Sequence, residues 1–286
     1  MISKAGFRAA FSLGPAFIVA GTTLVFSAGG AFAQNCTPGI AEKLLVKPGT
    51  FTMATSATLP PMAFSDPQGN LKGLRIELGN EIAKRLCLKP EFVNIAYTAM
   101  VPGLKGGRFD MIAAGLFVTA ERRKILLMLP YESLAVSIST AIGHDAGIKT
   151  IDDLAGKTLS VDIGGYDDIK LKELNEDFKK RGLAEMKINR FDNYATVYQA
   201  LRAGQVEAAA SIDPVAKEYQ ERGEFKQVLG GMFATPGSLT FDNQVVGHAV
   251  SDVMKQLKKD GFFDQLMNKY GVKPAPGDLS LLPREG

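Results

Sequence analysis

The residues of this chain best suited to bind something lie in the stretch FDMIAAGLFVTAERRK, residues 109–124. The run MIAAGL looks buried and is too short for a typical helix, so it reads as a strand. It leads into Gly115, a loop with Thr119, and the charged cluster Glu121, Arg122, Arg123 and Lys124. A buried strand that ends in a glycine loop before an arginine offers backbone N–H groups and a planar guanidinium. Together these suit a carboxylate. The same pattern also fits a strand followed by a solvated helix start, with the arginines facing water. Other reactive side chains are sparse. His144 and His248 are isolated and read as non-functional. Cys36 and Cys87 are the two cysteines, and in an oxidising compartment such a pair is more often a bridge than a metal site.

The elements that must position this stretch alternate between strands and helices. Residues 51–54 read as a strand, and 55–61 as a loop because two prolines cannot continue a ladder. A turn at 66–70 leads to a helix with Leu74, Leu78, Ile82 and Leu86 on one stripe. Next come a strand at 91–95, a helix around Met100 and Leu104, and the strand through Met111. Residues 137–147 read as a crossing segment. The second half repeats the pattern: a strand at 158–163, a break at Gly164-Gly165, and a charged helix over 167–181. A strand at 187–191 is followed by a helix that Asp192 can cap. A strand at 206–210 and a helix begun by Asp213-Pro214 come next. Residues 225–229 read as the last strand of that half, and 230–237 as a return crossing. One amphipathic helix is expected over 251–270, then a loose tail from Pro274. The segments GLKGGRFD (103–110) and ALRAGQVE (200–207) form a weak internal repeat. Such alternation implies parallel sheets whose ligands bind beyond the strand carboxyl ends.

The first segment stands outside this pattern. Lys4 and Arg8, an apolar run and the site Ala31-Phe32-Ala33 read as a secretory signal peptide over 1–33. Its removal takes two of the 33 basic residues and none of the 30 acidic ones. The mature chain is then nearly neutral, which argues against a nucleic-acid surface.

Three motifs carry a resemblance to the exported solute-binding proteins of polar amino-acid ABC transporters, solute-binding protein family 3. They are ATSATLPPMAF with the later GLRIELGNEIAKRL, then VPGLKGGRFDMIAAGLFVTAERRKILLMLPY, and DLAGKTLSVDIGG with LRAGQVEAAASIDPVAKEY. The resemblance implies an α/β fold of two doubly wound lobes joined by a two-segment hinge, the periplasmic binding protein type II architecture. Lobe one would hold 34–141 and 235–286, and lobe two 142–234. Arg122 matches the family arginine that pairs with the ligand carboxylate. Gly115 falls where backbone touches the ligand, and Tyr97 where an aromatic covers it. Gly164 and Gly165 match a second-lobe loop whose N–H groups face a carboxylate. Some positions depart from the family. Ser56 stands where an Asp is common, Leu59 for an aromatic, Phe117 for a small hydroxyl residue and Tyr166 for a Thr. Ile212 aligns with the second-lobe acid that holds a ligand ammonium, with Asp213 adjacent. Asp162 falls at a variable position facing the ligand side chain. The favoured cation partner is Asp162, with Asp213 or no acid at all as the alternatives.

The resemblance implies a non-enzymatic, monomeric carrier with no cofactor. Its partners would be a small carboxylate-bearing ligand and a membrane permease, and hinge closure would trap the ligand. Two alternatives stay open. One is a dehydratase-like periplasmic enzyme using Asp162, Asp213 or Glu121 as acid or base. The other is an accessory protein of a periplasmic oxidoreductase. In the exported protein a Cys36–Cys87 bridge is expected. An opine-like or amine-bearing carboxylate is favoured over a plain neutral amino acid.

Overall fold

The computed structural model describes Thr37 and residues 39–285 apart from 145. The expected signal peptide and Cys36 lie outside the described residues. The first half runs β1 (Thr50–Thr55), β2 (Thr58–Leu59), β3 (Ala63–Ser65), β4 (Leu71–Lys72), α1 (Leu74–Arg85), β5 (Lys89–Asn94), α2 (Tyr97–Lys105), β6 (Met111–Phe117) and α3 (Ala120–Ile125). β7 (Leu127–Ala141) crosses to β8 (Thr158–Asp162), α4 (Tyr166–Lys180), β9 (Lys187–Phe191), α5 (Tyr194–Arg202), β10 (Ala208–Ile212) and α6 (Asp213–Glu221). β11 (Phe225–Phe241) returns to α7 (Gln244–Lys259), α8 (Phe262–Lys269) and β12 (Lys273–Pro274).

The sheet order is β5-β1-β6-β11-β7-β10-β8-β9, with β12 on β7. β5, β1 and β6 are parallel to one another, as are β10, β8 and β9. Between these sets, β7 and β11 pair antiparallel along most of their length. This is the expected two-lobed α/β fold. The crossings expected at 137–147 and 230–237 fall on long strands, β7 up to Ala141 and β11 throughout. Paired backbone satisfies its own N–H and C=O groups, so serine- and glycine-rich sequence can still run as strand.

The internal repeat has a structural basis. After α2, Asp110 N–H donates to Thr52 O (2.8 Å), and the Asp110 carboxylate accepts from Thr52 N–H (2.8 Å). After α5, Glu207 N–H donates to Thr158 O (2.9 Å), and its carboxylate accepts from Thr158 N–H (2.9 Å). In each lobe one acid therefore sets how the strand after a helix starts against its neighbour.

Several expectations need correction. The 55–61 loop contains β2, which forms a small antiparallel sheet with β3 and β4. Two-residue strands are too short to show periodicity. Asn193, not Asp192, caps α5, accepting from Thr196 N–H at 3.0 Å. The single helix expected over 251–270 is two helices, divided at Gly261, whose φ of 84° a helix interior cannot contain. The tail is tied down rather than loose. Ala275 N–H donates to Tyr131 O (3.0 Å), Leu282 N–H to Met128 O (2.7 Å), and Ser251 Oγ to Leu279 O (2.7 Å). Proline and glycine content does not report such docking. Cys87 follows α1 with a φ of 59° and is not a free thiol. The other end of the expected bridge is outside the described residues.

Candidate functional site

β6 ends at Phe117 and β8 ends at Asp162, so their carboxyl ends place residues of both lobes around one cavity. Leu59, Arg75, Tyr97, Gly115 and Phe117 line it from lobe one, and Asp162, Gly165, Tyr166, Tyr194 and Ile212 from lobe two. Phe117 and Tyr166 stack across it with ring centroids 4.2 Å apart. Tyr166 also donates its hydroxyl hydrogen to Phe233 O in β11 at 3.0 Å. The rings leave about 20 Å³, room for roughly one water, so an amino acid enters only when the walls move apart.

Arg122 stands beside this cavity. Thr119 caps α3 by accepting from Arg122 N–H (3.2 Å), which fixes the first turn. The guanidinium donates to Phe117 O (3.0 Å) and lies 5.7 Å from the Tyr97 ring centre. It is half-buried, next to two lining residues.

The opposite wall is acidic. Asp162 is 6% exposed, and its Oδ1 has no hydrogen-bond partner. Burial, then the charges of Asp167, Asp192 and Asp168, push its pKa up to about 8. Burial likewise raises Asp167 to about 7, although it accepts from the Tyr194 hydroxyl at 3.1 Å. Asp168 is held by Arg190 Nε (2.9 Å) and Gly164 N–H (3.1 Å). This wall suits a cation, because a positive group relieves the crowding of buried acids.

Not every expected residue reaches the cavity. Gly165 lines the cavity, but its N–H donates to Asp162 O (3.2 Å), and the Gly164 N–H donates to the Asp168 carboxylate, so both expected donors are engaged within lobe two. Asp213 does not line the cavity: its carboxylate accepts from Ser137 Oγ in β7 and from Gly231 N–H (3.2 Å) in β11. Ser56 Oγ instead pairs with Thr58 Oγ1 at 3.2 Å. Glu121 is exposed.

The sequence reading missed an ion pair beneath the cavity. Arg75, 2% exposed in the first turn of α1, donates from Nη2 to Oε1 of the fully buried Glu132 at 2.9 Å. Burial opposes the guanidinium charge, but Glu132 and then Tyr131 outweigh it, so the Arg75 pKa lies above its ordinary value. A signal was present. Glu132 is the one acid between Glu121 and Asp145, inside a long apolar run, and a buried charge needs a partner. Gly115, at φ 64°, makes the room: a Cβ there would lie 2.1 Å from Arg75 Nη2 and 2.2 Å from Glu132 Oε1.

Two α/β lobes joined by paired crossing strands, with a largely aromatic and apolar cavity between them that holds Arg75 and Asp162, define the class of two-lobed binding proteins. The chain belongs to the bacterial extracellular solute-binding proteins, family 3, whose pattern matches residues 51–273. It is 28% identical to the Lysine/arginine/ornithine-binding periplasmic protein of Escherichia coli (strain K12), an alignment covering 78% of this chain and 88% of that one. A solved ancestral arginine-binding protein bound to arginine superposes with a TM-score of 0.72 at 30% identity, covering 78% of this chain and 98% of that one. The ancestral amino acid-binding protein AncCDT-1, a precursor of cyclohexadienyl dehydratase, gives 0.70 at 28% identity, with 78% and 95% covered.

Proposed function

We propose that this chain is an exported, monomeric carrier that captures an amine-bearing carboxylate, an amino acid or a derivative, and delivers it to an ABC permease. The observation that carries this is the polarity of the cavity. Arg122 stands on one side beside Tyr97 and Phe117, and the buried, unpartnered Asp162 faces from the other. A carboxylate needs the first and an ammonium the second. The cationic amino acids named for the relatives fit the same division. We place the hinge where β7 and β11 pass between the sheets. The pairing of β7 with β10 from Val136 supports a junction ahead of residue 142.

The enzymatic alternative rests on Asp162 alone, since Glu121 is exposed and Asp213 is engaged in the crossing strands. An acid whose pKa is about 8 could donate a proton, and one structural relative is a dehydratase precursor. Asp167, the neighbouring acid that burial also raises, is buried and holds the Tyr194 hydroxyl, so it is not presented to the cavity as a second reacting group, and binding is the better reading.

The test is calorimetric titration with arginine, lysine and histidine. Arg122→Ala is expected to weaken any carboxylate that binds by at least about tenfold, since a charge-assisted hydrogen bond is worth about 1.5–3 kcal/mol. The fold should persist, because the side chain is half-buried and makes one bond to a carbonyl. Unchanged affinity would place the carboxylate elsewhere.

A further inference from the structure

The site described above uses Arg122 and Asp162 but leaves Arg75 without a task, although its side chain lines the same cavity. A guanidinium has five N–H donors. One donates from Nη2 to Glu132, while Nε is buried with no hydrogen-bond partner. Glu132 Oε2 makes no well-formed hydrogen bond either, nor does the buried Tyr131 hydroxyl that bears on both members of the pair. An ion pair kept only for stability would be expected to satisfy these atoms, because buried pairs compensate their desolvation only through good geometry and further hydrogen bonds. The backbone also gives way to this pair. Gly115 approaches it from β6. Gly237 does so from β11, where a Cβ would lie 2.8 Å from Glu132 Cγ. The arrangement holds a guanidinium at the floor of the cleft with donor capacity to spare.

We infer that Arg75 is a ligand-reading residue that takes a second oxygen-acceptor group of the ligand, a carboxylate or carboxamide close to its amine. This rests on the proposed binding function and narrows its ligand class. Glu132 balances the Arg75 charge, so the added group is held by hydrogen bonds from a fixed donor rather than by a new net charge. Arg122 then keeps the first carboxylate and Asp162 the amine. The best-matched class is amino acids whose nitrogen carries a carboxyalkyl arm.

The experiment compares four probes by calorimetry on the full mature chain: arginine, N-(1-carboxyethyl)arginine, its carboxamide, and N-ethylarginine. The two oxygen-bearing derivatives are expected to bind at least tenfold more tightly than N-ethylarginine. Their ratio to each other distinguishes carboxylate from amide. Removing Arg75 alone would strand Glu132, so the variant is the double replacement Arg75→Gln with Glu132→Gln, its fold checked by circular dichroism. In it the advantage, read as the ratio of each oxygen-bearing derivative to N-ethylarginine, should disappear. Equal binding of the derivatives and N-ethylarginine by the natural protein would overturn the inference. So would an unchanged ratio in the folded double variant. If arginine binds and loses affinity with Arg122→Ala while the derivatives show no gain, only the role of Arg75 fails. If no probe binds, the proposed amine-bearing ligand fails with it.

Discussion

Asp162→Asn separates the electrostatic reading of the cleft from a merely structural one. Asn keeps the shape of the side chain and removes a charge that is buried and unpaired. In the folded protein burial and neighbouring acids raise the Asp162 pKa from 3.8 to about 8. Below about pH 4 the folded and unfolded chains both hold the proton. Between about pH 4 and 8 only the folded chain does, so this group's contribution to stability falls as pH rises through that window. Burying the ionised form beside Asp167 is expected to cost about 2 kcal/mol in that window. Asn escapes the penalty. The variant should match the natural protein near pH 4 and melt roughly 4–8 °C higher at pH 8.5. Binding should move the other way. An ammonium or guanidinium prefers the carboxylate form, so arginine affinity of the natural protein should rise from pH 6 to 9, and the variant should lose at least about tenfold and most of that pH dependence. Melting curves and titrations at four pH values read both effects. Superimposable stability profiles, or arginine bound equally well by both proteins, would refute the assignment of Asp162.

Gly115→Ala should cost about 3 kcal/mol or more in urea denaturation, because an L-residue is strained at φ 64° and its Cβ would push apart the buried Arg75–Glu132 pair. A loss under about 1 kcal/mol would mean that the pair yields freely. The Cys36–Cys87 bridge is expected in the exported protein. It would close a loop of about 50 residues and stabilise by about 4 kcal/mol through loop-closure entropy. Two thiols titrating in the unfolded, unreduced protein would exclude it.

The alternation of short apolar strands with striped helices determined the α/β class from sequence alone, since periods of two and of three to four leave local traces. Gly115 was readable from the contiguous run that ends at the cavity, whereas Tyr97 and Phe117 were implied by the family resemblance, and all three line the cavity. β7, and β11 beyond residues 225–229, were not, because β7 is buried on both faces and the β11 register is broken by bulges, so neither keeps a period of two. The tail was misread because its order comes from hydrogen bonds to Tyr131 and Met128, far away in the chain. Asp213 and Asp162 were indistinguishable as cation partners in sequence, each an acid at a strand end. The fold turns Asp213 to Ser137 and Gly231 and leaves Asp162 Oδ1 without a partner, which supports Asp162 as the proposed cation partner. Arg75 and Glu132 are 57 residues apart, and neither announces the other. Local sequence shows that a charge lies in an apolar run, but only the folded chain shows what neutralises it, because Coulombic pairing depends on distance in space and not along the chain.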